Sequence, residues 1–113
     1  MGRVFYTNKL ISKKMKVASS FFERLVGLMF SNSMKGFDSL LITKCNSIHT
    51  FFMRYAIDVV FLNNKYEIIR TYYNLKPWRM TRLVFGATQV LELRAGDLPQ
   101  DVKIGDRLDI CIS

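Results

Sequence analysis

Three ionisable side chains lie within ten residues of one another in an otherwise apolar stretch, SIHTFFMRYAIDVVFL, numbered 47–62. They are His49, Arg54 and Asp58. An arginine can bind a carboxylate or a phosphate through two parallel hydrogen bonds, and a histidine can exchange protons near neutral pH. Together with Glu92, these residues would line a small polar pocket. We expect such a pocket to bind a small anionic ligand or a carboxylate of a partner protein.

A purely structural interpretation accounts for the same residues. Apolar side chains occupy both faces of Ile48–Tyr55 and Ile57–Leu62, which predicts two central strands that are covered on both sides. The carboxylate of Asp58 would then be removed from water and would need Arg54, His49, backbone N–H groups or an opening to solvent. An Arg54–Asp58 ion pair, or a turn cap at the strand junction, is a commoner use of such residues than an active site.

Enzymatic interpretations use the same side chains. His49 as a general base, oriented by Asp58 or Glu92, would indicate a hydrolase. Cys45 and His49 are types found in cysteine nucleophiles, but no third residue to orient them is indicated. One histidine and two distant cysteines, Cys45 and Cys111, are too few ligands for a zinc site. We therefore expect no metal and no cofactor, and we favour a binding domain over an enzyme.

The positive charge of the chain provides a third hypothesis. The formal net charge is +8, of which residues 1–56 carry +7 (nine Lys and Arg against two acidic residues) and residues 57–113 carry +1. A basic excess attracts nucleic acid, acidic lipid or an acidic partner. The candidate patches for nucleic-acid binding are Lys13, Lys14 and Lys16, and Arg79 and Arg82. No nucleic-acid-binding motif accompanies them, so this hypothesis ranks below the other two.

Length and composition favour a single globular domain over residues 1–113. Half of the residues are hydrophobic, and 113 residues are enough for one core. No apolar run is long enough to cross a bilayer. The N-terminal segment has no continuous apolar core of the kind found in secretory signals, so a cytoplasmic location is expected.

A change in hydrophobic period separates one helix from the strands. Ser20-Phe21-Phe22-Glu23 has the spacing of a capping box, and apolar residues then recur every three or four positions, which predicts a helix over about 19–30. Gly27 within it indicates a close packing contact. Gly96, Gly105 and Asp106 mark tight turns.

The rest of the chain is predicted to be β. The predicted strands are Val4–Tyr6, Lys9–Val17, Ser39–Thr43, Ile48–Tyr55, Ile57–Leu62, Tyr66–Tyr73, Thr88–Leu93 and Arg107–Ile112. Asn63-Asn64 predicts a hairpin, because asparagine tolerates the positive φ of tight turns. Seven or eight short strands and one helix favour a compact, mostly antiparallel β-sandwich or barrel.

Several motifs, in this order, resemble an uncharacterised prokaryotic family known as domain of unknown function 192. They are RLVGLM (24–29), CNSIHTFFMR (45–54), IDVVFL (57–62), KPW (76–78), VLEL (90–93) followed by Ala95-Gly96, and IGD (104–106). The resemblance spans residues 20–110. It implies a mainly β domain with one short helix, and it implies no reaction, substrate or cofactor. The family motif gives weight to His49, Met53, Arg54, Asp58, Glu92, Gly96, Gly105 and Asp106.

Overall fold

The computed structural model describes residues 1–20, 23–24, 27–29 and 33–112, and this part of the chain is mainly β. Its strands are β1 (Gly2–Tyr6), β2 (Lys9–Ala18), β3 (Ser39–Thr43), β4 (Ile57–Leu62), β5 (Ile68–Leu75), β6 (Gln89–Arg94) and β7 (Asp109–Ile112). They form one sheet in the order β5-β4-β6-β3-β2-β1-β7. Neighbours are antiparallel except β2 and β3, which run parallel. The mainly β, mostly antiparallel prediction is confirmed, although the sheet stays open and does not close into a barrel.

Both faces of the sheet carry a hydrophobic core. All six residues of β4 are buried, as predicted for a central strand. Because side chains alternate along a strand, Ile57, Val59 and Phe61 pack on one side, which we call the first face. Val60 and Leu62 pack on the other side, the second face.

The hairpin predicted at Asn63-Asn64 is present, and a second hairpin joins β1 to β2. Thr7 and Asn8 connect β1 to β2 with positive φ values of 47° and 67°. Between β4 and β5 the positive φ of 62° falls on Tyr66. Asn63 stabilises the turn between β4 and β5 through its side chain instead, whose Oδ1 accepts hydrogen bonds from the N–H groups of Lys65 and Glu67, both at 2.9 Å.

The prediction of a strand over Ile48–Tyr55 is wrong. Within it, the bridge between His49 and Met80 is isolated, and Phe52 has a φ of 66° that regular strands do not adopt. The segment pairs irregularly with the chain around Arg79: the Thr50 N–H donates to the carbonyl of Arg79 at 2.8 Å. An apolar run of this length does not distinguish a strand from a buried irregular segment. We call the paired segments 46–52 and 76–85 the loop ladder.

The crossover from β2 to β3 begins with the predicted capping box. The Glu23 N–H donates to Ser20 Oγ at 3.1 Å, and the Ser20 N–H donates to Glu23 Oε1 at 3.2 Å. Glu23 and Arg24 are helical, but Gly27 has a φ of 51° and residues 27–29 form a turn, so the helix is shorter than predicted. The close contact predicted at Gly27 is also wrong, since no described atom lies within 4 Å of where its Cβ would be. Residues 21, 22, 25, 26 and 30 of the predicted helix lie outside the described residues.

Candidate functional site

Asp58 is buried on the second face and is held by backbone donors. Its side chain is 1 % exposed. Oδ1 accepts a hydrogen bond from the Asn74 N–H at 2.8 Å, and Oδ2 accepts from the N–H groups of Gly96 at 2.9 Å and Leu98 at 3.1 Å. These donors come from β5 and from the turn that follows β6. Asp58 therefore ties the edge strand β5 to the turn after β6, and these bonds do not lie at the strand junction where a turn cap was expected.

The structure does not bring the four predicted site residues together. Arg54 is exposed on the segment between the loop ladder and β4, and it is not among the hydrogen-bond partners of Asp58 in the described part of the chain. Glu92 pairs with Val59 across β4 and β6 and lies on the first face with Val90, whereas Asp58 lies on the second. His49 and Glu92 both line one cavity on the first face.

This cavity has a volume of about 150 Å³. The sheet contributes Glu92 and Ile42, the loop ladder contributes His49, and the crossover contributes Arg24. The other described residues that line it are Gly27, Leu28, Met29, Cys45, Ser47, Ile48 and Met53. The cavity is thus mostly apolar, with a few polar groups that converge on it, as is typical of small-molecule sites.

Glu92 is the buried acid of the cavity. It is 3 % exposed, and burial raises the pKa of its carboxyl group from 4.5 to about 8, with no hydrogen bond from another described residue to offset the shift. At neutral pH the group is therefore mostly protonated. A protonated carboxyl group donates a hydrogen bond, whereas a carboxylate only accepts.

Tyr55 places a second proton donor near Glu92. Its hydroxyl group is buried and has no hydrogen-bond partner among the described residues. Burial is the larger cause that raises the pKa of the Tyr55 hydroxyl group to about 12, and the negative charge of ionised Glu92 is the smaller one. The hydroxyl group keeps its proton at all physiological pH values. A buried donor without an acceptor is unusual in a folded protein.

His49 and Cys45 are held by local hydrogen bonds. The Nδ1 atom of His49 accepts a hydrogen bond from the Phe51 N–H at 3.3 Å, so a neutral ring carries its proton on Nε2. The Cys45 thiol donates to the carbonyl of Ser47 at 3.0 Å, and burial raises its pKa. A thiol whose pKa is raised is a weak nucleophile, and this environment does not favour a Cys45–His49 catalytic pair.

Sequence reasoning missed Arg24 and Tyr55. Tyr55 lies on an irregular segment and Arg24 on the short helical stretch of the crossover, and hydrophobic periodicity does not position either of them relative to β6. The one available signal was that Arg24 opens the RLVGLM motif. Arg24 is half-buried, and its positive charge favours the ionised form of Cys45, which places the guanidinium group within electrostatic range of the Cys45 thiol.

The two predicted basic patches do not lie on one element of the fold. Lys13, Lys14 and Lys16 lie on β2, while Arg79 and Arg82 lie on the loop ladder, so the two basic patches belong to different elements. Among the described residues, no group of three or more His, Cys, Asp or Glu could hold a metal ion. A search of the same residues finds no helix that is both long and apolar enough to span a membrane.

The turn residues have the backbone conformations that their types favour. Gly96 and Gly105 have φ values of 97° and 95°. Asp106 Oδ2 accepts hydrogen bonds from the Tyr6 hydroxyl at 2.6 Å and the Lys103 N–H at 2.9 Å. Asp106 thus ties its turn to Tyr6 on β1, and Gly96 belongs to the turn that holds Asp58.

An open, mainly β sheet with an acid-containing cavity on one face defines the structural class. Crystal structures of two bacterial proteins share the fold. A protein of unknown function from Novosphingobium aromaticivorans superposes with a TM-score of 0.79 at 16% identity, over 96% of this chain and 82% of that chain. A proposed transcription regulator from Sinorhizobium meliloti gives a TM-score of 0.76 at 22% identity, over 96% and 90%.

Sequence comparison identifies the family. The model of domain of unknown function 192, described as "Uncharacterized ACR", matches residues 5–110. A UPF0127 protein of Pyrococcus furiosus is 37% identical over 105 residues, which cover 89% of this chain and 90% of the relative. A UPF0127 protein of Thermococcus sibiricus is 32% identical over 106 residues, covering 89% and 68%. The chain belongs to this family, as its motifs predicted.

Proposed function

We propose that the chain is a single, non-enzymatic binding domain, and that its cavity binds a small molecule with a carboxylate on a short apolar body. The observation that carries this proposal is the burial of Glu92 in the cavity, which keeps its carboxyl group neutral at physiological pH. The proposal moves the anion-binding role expected for Arg54 and Asp58 to other residues. Arg24 replaces Arg54, and Glu92 replaces Asp58.

The polar groups of the cavity are mainly donors at neutral pH. Protonated Glu92, the Nε2–H of His49 and the guanidinium group of Arg24 all offer hydrogens, and the buried hydroxyl of Tyr55 lies within electrostatic range of Glu92. A carboxylate, which only accepts hydrogen bonds, is the complementary ligand group. Arg24 would also compensate its charge.

The apolar lining and the volume limit the rest of the ligand. Leu28, Ile42 and Met53 line the cavity and are buried. A cavity of about 150 Å³ is the size of one that binds benzene in an engineered protein core. We therefore expect ligands no larger than a single aromatic ring or a short acyl chain.

The same geometry disfavours the hydrolase hypothesis. A histidine base that a carboxylate orients donates its Nδ1–H to that carboxylate and accepts the proton of the nucleophile at Nε2. In this chain, Nδ1 of His49 accepts from the Phe51 N–H, and Asp58 is on the opposite face of the sheet. His49 is therefore arranged as a donor to a ligand.

The test is an NMR titration of the ¹⁵N-labelled protein with benzoate and butyrate, with sulfate and phosphate as probes of simple anion binding. At about pH 6.5 we expect benzoate or butyrate to shift the amide signals of Gly27, Cys45 and His49. At about pH 9 we expect weaker binding, because ionised Glu92 loses its donor hydrogen and repels the ligand.

Three variants give this experiment its controls. Glu92→Gln keeps a neutral donor and should bind equally well at both pH values. Arg24→Gln should weaken binding about tenfold, the effect of losing one charge-assisted hydrogen bond. Arg94→Gln, which removes an exposed arginine from β6, should leave binding unchanged. The proposal fails if no cavity signal shifts with any probe, or if Arg24→Gln and Arg94→Gln bind alike.

A further inference from the structure

The exposed apolar side chains of the protein are concentrated on the loop ladder. Among the described residues, nine large hydrophobic side chains are exposed, and five of these lie on the ladder. They are Phe52 (45 % exposed), Trp78 (57 %), Met80 (69 %), Leu83 (63 %) and Phe85 (92 %). This is more apolar surface than scattered exposed residues produce, and such a patch indicates an interaction surface.

The ladder holds these side chains outward through a fixed backbone. Thr81 and Val84 are buried beneath the patch, and their N–H groups donate to the carbonyls of Ile48 and Asn46, both at 2.9 Å. The residues that flank Thr81 and Val84, among them Met80, Leu83 and Phe85, are exposed to solvent.

Two of the exposed aromatic residues adopt a strained backbone conformation. Phe52 and Trp78 have φ values of 66° and 63°, in the left-handed region that bulky residues rarely adopt. Their rings contact each other edge to face, with centroids 4.8 Å apart. Strain of this kind clusters at functional sites, where the surrounding structure maintains it.

The two segments of the loop ladder carry basic residues and no acidic ones. Lys76, Arg79 and Arg82 are exposed in the same segment. No Asp or Glu occurs in the sequence between Glu67 and Glu92. The ladder thus combines a purely positive charge with protruding aliphatic and aromatic side chains.

We propose that the loop ladder docks the protein on the surface of an anionic lipid bilayer. Apolar side chains on a basic background bind such surfaces by insertion among the headgroups and by attraction to anionic lipids. Tryptophan is favoured at this depth, because its ring is amphipathic. The proposal is independent of the carboxylate-binding cavity.

Lipid fits this patch better than nucleic acid does. Single-stranded nucleic acid stacks its bases on the faces of aromatic rings. Here, Phe51 and Phe52 already contact Trp78, with ring centroids 5.9 Å and 4.8 Å away. The most exposed side chains include Met80 and Leu83, which have no ring for a base to stack on.

The sequence contains one tryptophan, Trp78, which gives a direct reporter. We would mix the full chain with vesicles of phosphatidylcholine containing about 30 % phosphatidylserine, and with vesicles of phosphatidylcholine alone. We expect a blue shift of tryptophan emission and co-sedimentation with the anionic vesicles, and weaker binding to the neutral ones. Added salt should weaken the binding, because it screens the attraction.

Variants separate insertion from charge. Leu83→Gln/Phe85→Gln and Arg79→Gln/Arg82→Gln should each weaken binding to anionic vesicles by about tenfold or more. Ile104→Gln removes an equally exposed apolar side chain (73 %) far along the chain from the ladder, and should bind like the original protein.

Two results would overturn the proposal. One is the absence of any emission shift or co-sedimentation with anionic vesicles while the protein remains folded by circular dichroism. The other is a loss of binding in Ile104→Gln equal to that in Leu83→Gln/Phe85→Gln. Quenching of Trp78 by a thymidine 20-mer without any response to vesicles would instead assign the ladder to nucleic acid.

Discussion

Asp58 and Glu92 lie on adjacent antiparallel strands, and their side chains leave the sheet on opposite faces. Both are almost completely buried, at 1 % and 3 % exposed. Asp58 receives three backbone hydrogen bonds. Glu92 faces a cavity, and its pKa is raised to about 8 by burial alone. The first acid therefore organises the fold, whereas the second has no hydrogen bond from another described residue.

Replacement of Asp58 should destabilise the protein strongly. Asp58→Asn places an amide NH₂ group against backbone N–H donors and removes the charge that they stabilise. We expect a loss of about 2–4 kcal/mol in the free energy of unfolding, measured by urea denaturation. The control is Asp97→Asn, whose ion pair with Arg94 is partly exposed and should contribute less than about 1 kcal/mol. Equal losses of unfolding free energy in the two variants would show that the three hydrogen bonds to Asp58 do not stabilise the fold.

Gly96 should be energetically coupled to Asp58. Its φ of 97° disfavours any other residue, and its N–H donates to Asp58 Oδ2. We expect Gly96→Ala to cost about 1–2 kcal/mol, and to cost less when Asp58 is already Asn. Gly36→Ala replaces another positive-φ glycine (79°) that is not among the donors to Asp58, and it should be additive with Asp58→Asn. Additivity in both double-mutant cycles would show that Gly96 and Asp58 act separately.

The raised pKa of Glu92 should make the protein less stable as pH rises. In the unfolded chain Glu92 titrates near 4.5, and in the folded protein near 8, so folding takes up a proton between these values. Stability is then highest, with respect to this group, below pH 4.5. It falls by about 1.4 kcal/mol per pH unit across the interval, and the slope ends above the folded pKa.

Glu92→Gln should remove this slope, which urea denaturation at a series of pH values measures. Asp109→Asn, which changes an exposed carboxylate on β7, should keep it. A pH dependence that is the same in Glu92→Gln as in the original protein would mean that another group causes it.

Thr50 should hold the loop ladder together. It is fully buried, its hydroxyl donates to the carbonyl of Lys76 at 2.6 Å, and it accepts from the Arg79 N–H at 2.9 Å. Thr50→Val leaves both backbone groups without a partner and should destabilise the protein by about 1–3 kcal/mol, with a red shift in Trp78 emission. Thr50→Ser keeps the hydroxyl group and should preserve the emission spectrum. If both variants shift emission equally, the hydroxyl is not what orders the ladder.

Elements with a clear hydrophobic period could be predicted from the sequence. Ile57–Leu62 was assigned with its bounds intact, and the capping box at Ser20 and Glu23 forms as predicted. The burial of Asp58 was also predictable, because an acid in a central apolar strand must be desolvated. The hydrogen-bond partners of Asp58 were not predictable, because nearly any residue type can supply a backbone N–H group and the donors lie far away in the sequence.

The cavity depended on information that periodicity does not carry. Alternation along β6 places Glu92 on one face, but the sequence does not reveal which residues cover that face. Arg24 reaches the cavity from the crossover, and His49 reaches it from a segment whose apolar pattern resembles a strand. The site is therefore formed by segments that lie far apart in the sequence, and the hydrophobic pattern does not show that they come together.

The protonation state of Glu92 is the point on which the binding account depends. It can be measured by NMR titration of the ¹³C-labelled side-chain carboxyl carbons, with the Glu92 signal assigned by its absence in Glu92→Gln. We expect a titration midpoint near pH 8, because the carboxyl group is buried in the cavity. A midpoint near pH 4.5, the value for an exposed glutamate, would show that the carboxyl group is charged at neutral pH and would rule out the proposed binding of carboxylates.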